Sequence, residues 1–300
     1  MSAVLPEQAG YLESRASIPL SEALQRWRKE AHVGMCDTGR YRCRFFVWGQ
    51  GQPVVFIHGI SDQARCFVPL LAHLTDKFQC VAYELPTGIG DGANLTKYAH
   101  ADFVTDLFAL LDHLRLAQIC LYGASYSSTI ALAALHQQPR RFLRAVLQSG
   151  FAHLRIAPAE KFVARWLQRS RMRIKDVPLR ESWQRRFDAP YFAGVPSELW
   201  DFQVANCGAA PVRAMAHRAW LLSKLDLRPI LSEIQHPILL IHGDRDNVIG
   251  QATTDELAKD LPHADRLEFS DCGHCMQYTH AAGVAEAVRR FLLPPCGLIG

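Results

Sequence analysis

At 300 residues, 49% apolar and 21% charged, the chain has the make-up of a globular protein with room for one large core, which excludes disordered and collagen-like classes. Its net charge of +4 is too small to argue for nucleic acid, and no apolar run approaches the roughly 18 residues of a membrane span. The opening MSAVLPEQAGYLESR lacks the basic-then-apolar layout of a secretory leader, and nine scattered cysteines suit a reducing compartment, so a cytoplasmic location is expected.

Residues 1–35 read as an N-terminal extension ending in one amphipathic helix, SEALQRWRKEA. Strand-like runs follow at 42–49, 53–59, 78–85, 118–123, 144–150, 237–243 and 265–270, and from the second onward most are continuously apolar, as in strands buried on both faces. Helical spacing fills the gaps in SDQARCFVPLLAHLTDK, HADFVTDLFALLDHLRL and SSTIALAALHQQPRRF. This alternation predicts an α/β fold, a mostly parallel sheet flanked by crossover helices. One gap of 86 residues, from Gly150 to Pro237, is too long for a single crossover. Residues 151–231 are therefore expected to form an inserted helical cap, with 1–150 and 232–300 as the core.

Within that insertion, residues 161–187 hold nine Lys or Arg and two acids, a local +7 against −3 for the rest of the chain. A solvated helix face is the default for such a run. The functional alternative is a preference for carboxylate-bearing substrates, tested by charge reversal at Arg171 and Arg173.

The strongest local signal is LYGASYSSTIAL, an apolar strand that turns at Gly123-Ala124-Ser125-Tyr126-Ser127 into an Ala- and Leu-rich helix. A serine on a sharp strand-to-helix turn projects its hydroxyl beside helix N-terminal N–H groups that can hold an oxyanion. Ser127 stands where such elbows, G-x-S-x-G, carry their last glycine. A serine nucleophile needs a base, which an imidazole supplies, and the imidazole needs a carboxylate to orient it.

From about residue 42 to 293 the chain resembles the α/β-hydrolase family. The resemblance rests on the elbow, on His58-Gly59-Ile60 after the strand PVVFI, on ELPTGIGDG, on IHGDRD (241–246) after PILLI, and on DCGH after the last strand. It implies Ser125 as nucleophile, Asp246 as the acid orienting the base, His274 as general base, and the backbone N–H groups of Ile60 and Tyr126 as oxyanion donors. It further implies hydrolysis of an ester or related acyl bond in a small to medium molecule, with no cofactor or metal required and a small ester-like molecule as partner. Lactonase, carbon-carbon hydrolase and acyltransferase chemistry fit the same triad, as does a ligand-binding protein of low turnover.

Other readings of these residues stand beside this one. Ser125 could be a helix cap, and Ser127 or Ser128 an alternative nucleophile. Asp244 rivals Asp246, and His280 is the fallback for His274. His58 and His242 read as loop or packing residues. GIGDG (88–92) lacks the lysine and the following helix of a nucleotide loop. Cys272 and Cys275 in SDCGHC could mark a thiol redox or metal site, but too little chain follows for a thioredoxin-like sheet and no second ligand pair matches.

Overall fold

A computed structural model describes residues 17–293; expectations for residues 1–16 of the extension and for Cys296 lie outside the described residues. The chain begins with α1 (Leu20–Glu30), β1 (His32–Asp37), β2 (Arg42–Trp48), β3 (Gln52–Ile57), α2 (Val68–Leu71), β4 (Phe78–Tyr83) and α3 (His100–His113). It continues through β5 (Ile119–Ala124), α4 (Tyr126–Gln137) and β6 (Phe142–Gln148). Four cap helices follow, α5 (Pro158–Leu167), α6 (Arg180–Phe187), α7 (Ser197–Ala209) and α8 (Val212–Leu222). The core then closes with β7 (Ile238–Gly243), α9 (Gln251–Asp260), β8 (Ala264–Phe269), α10 (Met276–Thr279) and α11 (Ala281–Leu292).

All eight strands form one sheet in the order β1-β2-β4-β3-β5-β6-β7-β8. The β1-β2 and β2-β4 pairs are antiparallel and every later pair is parallel. The apolar runs of the central strands have a direct cause, because both faces are covered. Val55 and Ile57 of β3 pack with Leu107, Leu110 and Ile130 of α3 and α4, whereas Val54 and Phe56 pack with Leu70, Val284 and Val288 on the opposite face. Burying each such side chain contributes about 1.5–3 kcal/mol.

The N-terminal boundary falls differently from the expectation. Position 35 lies inside β1, an edge strand in which only Cys36 is buried, so its sequence HVGMCD lacks the apolar alternation that would reveal it. Helix α1 is docked on the core through Leu20 and Ala23, and Trp48 Nε1 donates to Glu30 Oε2 at 2.9 Å. The helix expected across SDQARCFVPLLAHLTDK is reduced to a 3₁₀ turn, Ala64–Phe67, and the four residues of α2, with Pro69 at its start.

The long insertion forms the inserted helical cap. It leaves and rejoins the core at one place, where His153 bridges Asp226 and the Leu227 N–H donates to the Ala152 carbonyl at 3.0 Å.

Candidate active site

Strands of one parallel sheet deliver their following loops to a common edge. The segments after β3, β5, β7 and β8 meet there, and they carry the residues singled out above.

Ser125 directly follows β5 at φ 54°, ψ −118°, a left-handed conformation that costs a non-glycine residue about 1–3 kcal/mol. Three contacts hold it. The Ser125 N–H donates to Gln148 O at 2.8 Å, and Gly123 allows the close return of the helix, since a Cβ there would stand 2.9 Å from Ser127 O. The Ser127 hydroxyl accepts from the Ala124 N–H at 2.9 Å and donates to Ile57 O, so serine in place of the last elbow glycine ties the turn to β3. Ser128 Oγ is likewise engaged, accepting from the Phe151 N–H at 3.1 Å. Of the three serines, only Ser125 meets the histidine.

His274 Nε2 lies 2.9 Å from Ser125 Oγ, and its Nδ1 lies 2.8 Å from Asp246 Oδ2. The other Asp246 oxygen accepts the N–H groups of Val248 and Ile249, both at 2.9 Å. Burial alone would raise the Asp246 carboxyl. The hydrogen bond and charge of His274, with the Ile249 N–H, outweigh that and hold it below the usual carboxylate value. Asp244 has a different task, accepting the Cys272 N–H at 3.0 Å and so bracing the loop that carries His274.

The loop after β3 abuts the elbow. A Cβ on Gly59 would lie 3.8 Å from Ser125 Cβ, and Ile60 lines the same cavity as Ser125. Arg218 of α8 holds this loop, its Nη1 donating to the Ile60 carbonyl at 2.7 Å. Tyr126 opens α4 with its ring buried against Phe103, and first-turn N–H groups have no partner within their own helix. His58 serves its loop. Its Nε2 accepts the Leu85 N–H at 3.1 Å, which places the proton on Nδ1 for donation to Gly59 O, and burial followed by the Arg218 charge pushes its pKa down to about 3.

The remaining rivals have ordinary occupations. His242 is buried beside Thr254, and His280 bonds Thr279 and packs edge-to-face against Phe269. In GIGDG the Asp91 carboxylate accepts from Thr87 and Ala93, closing a turn. Burial pushes the Cys272 thiol up to about 12 and raises that of Cys275 as well, the opposite of a reactive redox pair.

Several residues here carry no sequence signal. Gln148, at the end of β6, donates through Nε2 to His274 O at 3.2 Å and to Gln277 Oε1 at 2.7 Å, while Tyr122 OH donates to its Oε1 at 2.6 Å. Asp62, just past the His-Gly loop, accepts from Tyr278 OH at 2.8 Å and from Gln277 Nε2 at 3.3 Å. Burial raises the Asp62 carboxyl to about 6. Only side-chain contacts across 215 and 216 positions reveal this cluster.

Ser125 and His274 open into a cavity of about 630 Å³, within the range of small-molecule sites. The cap supplies its apolar wall, including Leu167, Met172, Val177 and Met215, and the core supplies a polar end with Asp62 and Gln277. Of the nine basic residues in 161–187, only Arg180 lines it, and the carboxyls of Asp62 and Asp188 line it too.

The sequence pattern of the alpha/beta hydrolase fold matches residues 52–281, and the chain belongs to that family. It is 24% identical over 254 residues to the uncharacterized hydrolase YugF of Bacillus subtilis, covering 80% of this chain and 90% of that one. It is 28% identical over 244 residues to the 2-succinyl-6-hydroxy-2,4-cyclohexadiene-1-carboxylate synthase of an Enterobacter species, covering 80% and 91%. In fold it is similar to a hydrolase from Pseudomonas aeruginosa, with a TM-score of 0.78, 17% identity and coverage of 88% and 99%. The chain is thus an α/β-hydrolase-fold enzyme of the kind that acts on small to medium molecules.

Proposed function

We propose that the protein is a serine hydrolase that cleaves an ester, or related acyl bond, of a small to medium, partly apolar molecule. The observation that carries this reading is the unbroken line of hydrogen-bond distances from Ser125 through His274 to Asp246. His274 takes the Ser125 proton as Oγ attacks the carbonyl carbon, and the oxygen that becomes negative is held by the N–H groups of Ile60 and Tyr126. The tetrahedral species collapses to an acyl-enzyme as His274 returns the proton to the leaving alcohol. Water then attacks the acyl carbon, with His274 as base, and frees Ser125 and the acid. Asp246 stabilises the imidazolium formed in each half-reaction.

The cavity's apolar cap wall supports an apolar substrate portion, and its two carboxyls favour a neutral substrate over a carboxylate-bearing one. All eight cysteines among the described residues are free and seven are buried, which supports a reducing, cytoplasmic setting. Similarity to a synthase keeps a reaction other than ester hydrolysis on the same triad as the second reading.

Pre-steady-state hydrolysis of an activated nitrophenyl ester tests the proposal. A burst of nitrophenol stoichiometric with enzyme, followed by a slower steady rate, is expected. Turnover that survives undiminished in Ser125→Ala would overturn it.

A further inference from the structure

The outer surface of the cap combines two features that no step of the proposed hydrolysis uses. Eleven large apolar side chains are exposed among the described residues, and six of them fall between Phe162 and Leu179. Phe162 and Trp166, four residues apart on one face of α5, are 74% and 70% exposed, and Leu179 is 73% exposed. Leu179 is also held at φ 60°, a conformation unfavourable for leucine, with its side chain directed outward. Five of the nine basic residues of 161–187, Arg165, Arg169, Arg171, Arg173 and Lys175, are interleaved with these apolar groups. None of the nine is ion-paired to a carboxylate among the described residues, although eight arginines elsewhere are.

We infer that this face of the cap, α5 and the loop that follows it, docks on the surface of an anionic lipid bilayer. Unneutralised Lys and Arg attract acidic headgroups, while Phe, Trp and Leu enter the boundary between headgroup and acyl chain. Charge complementarity selects this occupant over a second copy of the chain, because two such faces would repel. Val163, Met172, Val177 and Leu179 are aliphatic or thioether groups, suited to hydrocarbon and not to base stacking, which argues against a nucleic acid. The docked face borders the catalytic cavity, since Met172 and Val177 are exposed and also line that cavity. This is contact at the surface: no helix among the described residues is long and apolar enough to cross a membrane.

Co-sedimentation of the full chain with phosphatidylcholine vesicles, with and without about 30% phosphatidylglycerol, tests the inference. At least tenfold tighter binding to the anionic vesicles is expected, with a blue shift of tryptophan fluorescence and release at about 0.5 M salt. The variant Phe162→Ser/Trp166→Ser, altered only at exposed positions outside the cavity lining, is expected to lose at least tenfold in binding, with its melting temperature and its hydrolysis of a water-soluble ester unchanged. Arg169→Glu/Arg171→Glu is expected to lose the preference for anionic vesicles. Ser125→Ala is expected to bind vesicles as the wild type does, so failure of the proposed chemistry leaves this result standing. Equal affinity for neutral and anionic vesicles, or absence of binding to both, would overturn the inference. Retention on polyglutamate without vesicle binding would also overturn it and assign the face to an acidic protein.

Discussion

At the residue scale, two aspartates two positions apart do different work, and the difference is measurable. Asp246 contacts the His274 imidazole, while Asp244 holds the backbone of the loop beneath it. Asp246→Asn is expected to lower kcat on the order of 10³–10⁴-fold at nearly unchanged melting temperature, because the amide favours the wrong imidazole tautomer. Asp244→Ala is expected to leave most activity in place and to cost about 1 kcal/mol in urea unfolding, the value of a hydrogen bond. Equal kinetic losses in the two variants would contradict this division. The spacing of IHGDRD, matched to the family's acid loop, favours in sequence the aspartate that lies 2.8 Å from His274. Gln148, Asp62 and Gln277 could not be found that way, because their roles arise only when β6, the His-Gly loop and α10 fold together. Gln148 at the end of β6 braces the His274 carbonyl through its amide without competing for the imidazole proton.

At the scale of elements, the acid and base loops behave as one unit. Asp244 N–H donates to Phe269 O and Arg245 N–H to Cys272 O, both at 3.0 Å, so the loops after β7 and β8 are laced by backbone bonds. Gly243 makes this possible, as a Cβ at that position would lie 2.2 Å from the Cys272 carbonyl oxygen. Gly243→Ala is expected to destabilise the protein by about 1–3 kcal/mol and to reduce kcat more than KM by displacing His274. Thermal unfolding and steady-state kinetics on one preparation check it; a fully active variant of wild-type stability would show that the loops can separate. Central strands β3 to β7 were legible because burial on two faces demands continuous apolar sequence. Edge strand β1 was not, because one partner and one buried side chain impose almost no pattern.

At the scale of the molecule, charge placement decides what the cap presents to solvent and what it presents to substrate. The basic run was plain in sequence, but its direction was not, because the stretch changes from α5 through a loop to α6 and no one periodicity runs through it. With one of nine basic residues lining the cavity beside two carboxyls, a neutral ester is expected to show a kcat/KM at least tenfold above that of its carboxylate-bearing counterpart. Equal specificity constants for the matched pair would contradict that expectation. Stability should carry a pH signature of two half-buried acids, Asp62 and Glu84. Burial raises Asp62 to about 6 and Glu84 to about 7, above their unfolded values, so the stability they contribute is complete below about pH 4 and lost as pH rises to about 7. Glu84→Gln removes one of these titrations. Its melting temperature is therefore expected to gain on the wild type between about pH 5 and about pH 8, and an offset independent of pH would contradict the assignment.

The central claim is that Ser125 is the activated nucleophile of this fold. Reaction with a fluorophosphonate, followed by peptide mass spectrometry, tests it most directly. One covalent adduct on Ser125, absent in Ser125→Ala and slowed by orders of magnitude in His274→Ala, is the expected result. An adduct on Ser127 or Ser128, or no adduct on folded wild-type protein, would contradict it.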